Sequence, residues 1–205
     1  MTATPSPRLV LASGSTHRLR LLRDAGYDPI VVVPDIDERE LPWDREAADE
    51  YVLDLAEAKL SVVLERLRCD GSESEFVVLA ADQVVVDPAG ALCHQQSDVA
   101  SATAQLLRLS GTTHDLVNGV VVADPAGRVE RLVDRHRITM TAFGPAEARS
   151  YVETYLPFEC AGSYRLEDDA GLVGSVEGDE PSGVIGLPVR KVEAMLRRAG
   201  VVSSR

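Results

Sequence analysis

Residues 77–86, VVLAADQVVV, constrain the chain more than any other segment. Eight of the ten are Val, Leu or Ala, a strand-forming run that belongs in a core, yet Asp82 and Gln83 stand in its middle. A carboxylate enclosed by such neighbours costs several kcal/mol unless it is paired, bound to a metal or turned to water, a sum on the order of a domain's whole stability margin. Pairing or metal binding would give Asp82 chemical work, since a carboxylate acting as a base needs a water within reach and often a metal to acidify it. The alternative is an edge-strand acid turned outward by the two-residue alternation.

The segments around this run alternate irregularly between strand and helix patterns. RLVLAS (8–13) reads as a strand that stops at Ser13-Gly14-Ser15, and Leu19, Leu22 and Ala25 then recur at helical spacing up to Gly26. DPIVVV (28–33) is a second strand, followed by an acidic loop over 34–42. Val52, Leu55, Ala56, Leu60, Val63, Leu64 and Leu67 form an apolar stripe that predicts a helix over 47–68. The central run ends at the turn sequence DPAG (87–90), and a helix is expected over 98–109. A second DPAG, at 124–127, joins two strand-like segments into a long hairpin, so an all-parallel sheet is not expected. Helices over 145–155 and 188–199 and a short strand over 171–176 complete a single domain spanning 1–205, with residues 1–7 a loosely held N-terminus.

Four further segments could carry chemistry. In SGSTHR (13–18), hydroxyl residues between a strand and a helix expose N–H groups at the positive end of the helix dipole, which suits phosphate or carboxylate; Ser15 or Thr16 could equally be a plain cap. DIDE (35–38) could hold a hard divalent cation or be solvated loop charge. Lys59 lies beside the apolar stripe, where it either snorkels at the core edge, the reading favoured for it alone, or points into a cleft to meet an anion. In ECAGSYRLED (159–168), the small Ala161, Gly162 and Ser163 would let backbone approach a flat ligand, with Glu167 accepting hydrogen bonds from its edge.

Other chemistries fall away. The four histidines show neither HxH nor HExxH spacing, and no GxSxG elbow is present. Three widely spaced cysteines suit a reducing compartment, and the N-terminus does not read as a signal peptide, so a cytoplasmic protein without membrane association is expected. A net charge of −12 argues against a nucleic-acid partner.

Taken in order, LASGSTHR, DIDE, AEAKL, ADQVV, LSGTTHDLVNGV, CAGSY and GVIGLP resemble the Maf family of nucleoside triphosphate pyrophosphatases over roughly residues 8 to 200. The resemblance implies an α/β fold shared with inosine triphosphate pyrophosphatases, a mixed twisted sheet flanked by helices with two lobes around a cleft. It implies a house-cleaning hydrolase acting on acid anhydrides, which splits the α–β phosphate bond of a nucleoside triphosphate with a divalent cation, Mg²⁺ or Mn²⁺, and forms a homodimer. Carried onto this chain, Asp82 and Glu38 would be the catalytic and metal-binding carboxylates. Ser13, Ser15, Arg18 and Lys59 would hold the triphosphate, and Gln83 and Glu167 would read the base. Gln83, the CAGS-aromatic segment and Glu167 match members acting on 7-methyl-GTP, the favoured substrate, rather than those acting on UTP and dTTP. His17 stands where an aromatic is expected, and Cys93-His94-Gln95 replaces a Gly-Lys-Pro, so His94 takes the place of a phosphate-binding lysine. That replacement keeps open a catalytically weakened nucleotide-binding regulator of cell division.

Overall fold

The computed structural model describes residues 6–36, 42–44, 47–72 and 75–204. Six strands, β1 (Arg8–Ala12), β2 (Ile30–Val31), β3 (Phe76–Val86), β4 (Thr113–Ala123), β5 (Val129–Met140) and β6 (Val173–Glu177), follow the order β2-β1-β3-β4-β5-β6 in one sheet. The helices are α1 (Thr16–Asp24), α2 (Ala48–Cys69), α3 (Val99–Leu109), α4 (Pro145–Tyr155), α5 (Pro181–Ile185) and α6 (Val189–Arg198). β1 pairs in parallel with β2 and β3, and β5 pairs antiparallel with β6, so the sheet is mixed, as the hairpin predicts. Among the described residues no helix is long and apolar enough to cross a membrane.

The chain divides into two compact units. The first takes Met1–Asp82, Asn118–Asp134 and Gly186–Arg205, the second Gln83–Val117 and Arg135–Ile185. In the first unit the two-residue period sorts each strand between two layers. Leu9, Leu11, Val77, Leu79 and Ala81 pack with Leu22, Val192 and Leu196 of α1 and α6. Val10, Ala12, Val78 and Ala80 pack with Leu53, Ala56, Leu60 and Val63 of α2. β3 is thus covered on both faces, which explains its nearly continuous apolar run. Gly119 of β4 is required by a close approach, because a Cβ there would sit 2.5 Å from the Val52 carbonyl oxygen of α2.

The second unit has its own core, in which Leu106 and Leu109 of α3 meet Ala148 and Val152 of α4, Ile138 and Met140 of β5 and Tyr164. Both DPAG turns use the same device: Asp87 Oδ1 accepts from the Ala89 and Ala91 amides, and Asp124 Oδ1 from the Ala126 and Arg128 amides.

Most expected elements are found within a residue or two. The second strand is shorter than expected, only Ile30–Val31 pairing with β1. Two 3-10 turns, Ala161–Ser163 and Leu166–Asp168, and the five-residue α5 had no periodic pattern to announce them.

Candidate active site

The first unit brings four of the expected residues, Ser13, Ser15, Arg18 and Lys59, together about one carboxylate, Asp82. Counting along β3 from Val78 and Ala80, the period of two puts Asp82 on the layer facing α2, where Lys59 projects. Lys59 Nζ donates to Asp82 Oδ1 at 2.8 Å, and Arg18 Nη2 lies 3.9 Å from the same oxygen. Asp82 is 7% exposed, and Lys59 and Arg18 are each 8% exposed. Two readings are corrected here. Asp82 is no edge residue turned to water, since β3 lies between β1 and β4, and Lys59 does not snorkel, because the buried acid holds its ammonium inside.

The turn after β1 supplies the rest. Ser15 caps α1 by accepting from the Arg18 amide at 3.3 Å. Ser13 Oγ accepts from the Ser15 amide at 3.1 Å and from Arg18 Nη1 at 3.3 Å. Arg18 Nε donates to the Gly186 carbonyl at 3.0 Å, which fixes the plane of the guanidinium. His17, one position earlier on α1, is half-buried. Buried ionic groups persist only when paired, and among the described residues Asp82 meets both cations near the positive end of the nine-residue helix α1.

The second unit holds Gln83, His94 and Glu167. Gln83 Nε2 donates to the Gly183 and Val184 carbonyls at 3.0 and 3.4 Å, so its nitrogen is committed to the backbone of α5. Just before this short helix, Glu180 is 4% exposed and accepts from the Ser182 hydroxyl. The His94 side chain is exposed, and its carbonyl accepts from Gln96 and Gln105. Glu167 is exposed on a turn pinned by Tyr151, whose hydroxyl donates to Asp168 Oδ2 at 2.5 Å and accepts from the Arg165 amide at 2.9 Å. Burial, then the hydrogen bond to Asp168, pushes the Tyr151 phenol above its ordinary range.

Neither nearby cysteine has nucleophile character: burial and then Asp87 push the Cys93 thiol up to about 11, and burial raises Cys160 as well. Glu38, the second expected carboxylate, lies outside the described residues, while Asp35 of the same loop is exposed. Among the described residues no group of three or more His, Cys, Asp or Glu side chains could hold a metal ion. Oδ1 of Asp82 is bonded to Lys59, so a cation meeting this acid would need its remaining ligands from groups other than the described carboxylates.

Sequence reasoning missed the Gly186 carbonyl that anchors Arg18 and the backbone carbonyls that hold Gln83. GVIGLP is visible as a motif, but a backbone acceptor leaves no side-chain signature. Gln105 was missed for another reason: a lone amide in a helical stripe reads as an ordinary break in the apolar face.

A model of the Maf-like protein family matches residues 8–199, and the chain belongs to that family. Curated relatives cover almost all of it. It is 37% identical over 211 residues to a dTTP/UTP pyrophosphatase of Burkholderia thailandensis, spanning 98% of this chain and 97% of that one. It is 40% identical over 195 residues to a dTTP/UTP pyrophosphatase of Myxococcus xanthus, spanning 94% and 93%. A looser structural likeness, with a TM-score of 0.38 and 17% identity over 65% of this chain and 72% of the other, is to a nucleoside-triphosphatase / dITP/XTP pyrophosphatase of Mycobacterium abscessus. That overlap is too slight to speak to activity. The family and its curated members make the chain a hydrolase of nucleotide anhydride bonds.

Proposed function

We propose that the chain hydrolyses dTTP and UTP between the α and β phosphates, releasing the monophosphate and pyrophosphate. The observation that carries the chemistry is the buried Arg18–Asp82–Lys59 cluster at the start of α1. Its two cations and the Ser13–Ser15 turn are disposed to take phosphate oxygens and to offset the charge that builds on the leaving pyrophosphate. An ammonium has three N–H donors, so Lys59 can keep Asp82 and share a phosphate oxygen. Asp82 is then the carboxylate that orients or deprotonates the attacking water. Mg²⁺ or Mn²⁺ would arrive with the triphosphate, as small hard cations usually do, with Asp82 and Glu38 the carboxylates to meet it, and would add further neutralisation of phosphate charge.

The pyrimidine choice follows the two curated relatives, of Burkholderia thailandensis and Myxococcus xanthus, both named dTTP/UTP pyrophosphatase. A second reading, preference for 7-methyl-GTP, is favoured by one observation: Glu167 presents a carboxylate on an anchored turn, and a methylated guanine carries positive charge. Steady-state kinetics with dTTP, UTP, 7-methyl-GTP and GTP decide between them. dTTP and UTP are expected to lead in kcat/KM by about tenfold or more, a difference of about 1.4 kcal/mol in transition-state binding. A lead for 7-methyl-GTP overturns the pyrimidine assignment and leaves the bond cleaved unchanged.

A further inference from the structure

Gln105 lies on the inner face of α3 among Ala102, Leu106 and Leu109, is 2% exposed, and uses every hydrogen-bonding atom of its carboxamide. Its Nε2 donates to the His94 carbonyl at 2.9 Å and to the Ser163 hydroxyl at 2.8 Å. Its Oε1 accepts from Gln96 Nε2 at 3.1 Å, and Gln96 Nε2 also donates to the His94 carbonyl at 2.9 Å. Two more bonds run between the same segments: Gln95 Nε2 to the Glu159 carbonyl at 2.8 Å, and the Gly162 amide to the Cys93 carbonyl at 3.3 Å. Residues 93–96 and 159–163 are therefore joined by amides, and Gln105 is the piece that touches both from a rigid helix.

The partner it holds is in an unusual conformation. Gly162 and Ser163 have φ of 80° and 60°, in the left-handed region, where a glycine rests easily and a serine persists only when its surroundings fix it. Ser163 is fully buried, and its hydroxyl is bonded to Gln105. From that turn the chain runs directly to Tyr164, whose hydroxyl bonds His114 Nε2 at 2.8 Å, and on to the anchored turn that carries Glu167.

We infer that Gln105 is a positioning residue for nucleotide selectivity, locking the His94 loop to the 159–167 segment so that the base-facing side chains keep one arrangement. The inference rests on the reading of the chain as a pyrophosphatase in which His94 and Glu167 meet the nucleotide. A buried, fully bonded amide specifies one geometry where Leu or Met would only fill volume. Hydrolysis itself belongs to the Asp82 cluster, so Gln105 governs KM and the choice among bases rather than turnover at saturation.

Gln105→Leu removes the three hydrogen bonds of this carboxamide at nearly constant volume, and Ser163→Ala removes one of them. The expected result for Gln105→Leu is a KM for the preferred nucleotide raised about tenfold, kcat within about twofold, and the kcat/KM ratio between dTTP and 7-methyl-GTP moved about tenfold toward unity. Ser163→Ala is expected to move the same quantities in the same direction by less. Hydrogen exchange read peptide by peptide is expected to show 93–96 and 160–164 losing protection together in Gln105→Leu. A lower melting midpoint with unchanged KM and unchanged nucleotide ratio would confine Gln105 to stability and overturn the inference, as would loss of protection in α3 alone. If the wild-type chain releases pyrophosphate from no nucleotide, the pyrophosphatase reading fails and the selectivity role with it, while the exchange data still show whether the two segments are tied.

Discussion

The buried clusters of the two units differ in kind. In the first, Arg18, Lys59 and Asp82 are each below a tenth exposed and form ion pairs on one carboxylate. The second also buries the carboxylates Asp87 and Glu180, but its buried side-chain pairs Gln105–Ser163 and His114–Tyr164 are neutral. His114 is held neutral, since burial drives its pKa down to about 4 against the opposing charges of Asp115 and Asp87. Charge inside a protein is expensive and is retained where something charged must be met; neutral amides and phenols fix shape at lower cost.

The largest break in this contrast comes from removing a charge in the first unit. Lys59→Met leaves Asp82 with Arg18 at 3.9 Å as its remaining cation among those described above. A fall in kcat/KM on the order of a hundredfold is expected in steady-state assays, because the loss touches both phosphate binding and the orientation of Asp82. A change under threefold would mean that the ion pair serves the fold rather than the reaction.

A smaller effect sharpens the account of the second unit. With an unfolded pKa of 6.5 and a folded value near 4, His114 binds its proton more tightly when the chain unfolds. Its contribution is present in full above about pH 6.5 and is lost as pH falls toward 4, up to about 3 kcal/mol. Thermal melts between pH 7 and 4 should therefore fall less steeply for His114→Gln than for the wild type. Parallel slopes would show that His114 is not the group being protonated.

Much of this was legible in residues alone. The β3 run announced a core strand and the stripe on α2 a helix, and together they forced the question of how Asp82 could be buried beside Val84 to Val86. Lys59 was harder: its spacing places it at the margin of the stripe, and only the crossing of α2 over β3 turns that margin into an ion pair. Gln83 was identified by its place after Asp82, but its bonds run to carbonyls a hundred residues away in sequence, which no local pattern can indicate. The 159–168 segment was recognised as a candidate, but its shape was not legible for a related reason. Its two 3-10 turns have no period, and their shape comes from Gln105, Tyr151 and His114 on three other elements.

The central claim is that the Asp82 cluster drives cleavage between the α and β phosphates. The direct measurement is product analysis by anion-exchange chromatography of dTTP incubated with wild type and Asp82→Asn, each with Mg²⁺. The account predicts dTMP and pyrophosphate in equal amounts from the wild type, and a rate lower by roughly a thousandfold or more from Asp82→Asn, within the range that loss of general-base catalysis and water orientation produces. dTDP and orthophosphate as products, or an Asp82→Asn variant as fast as the wild type, would contradict it.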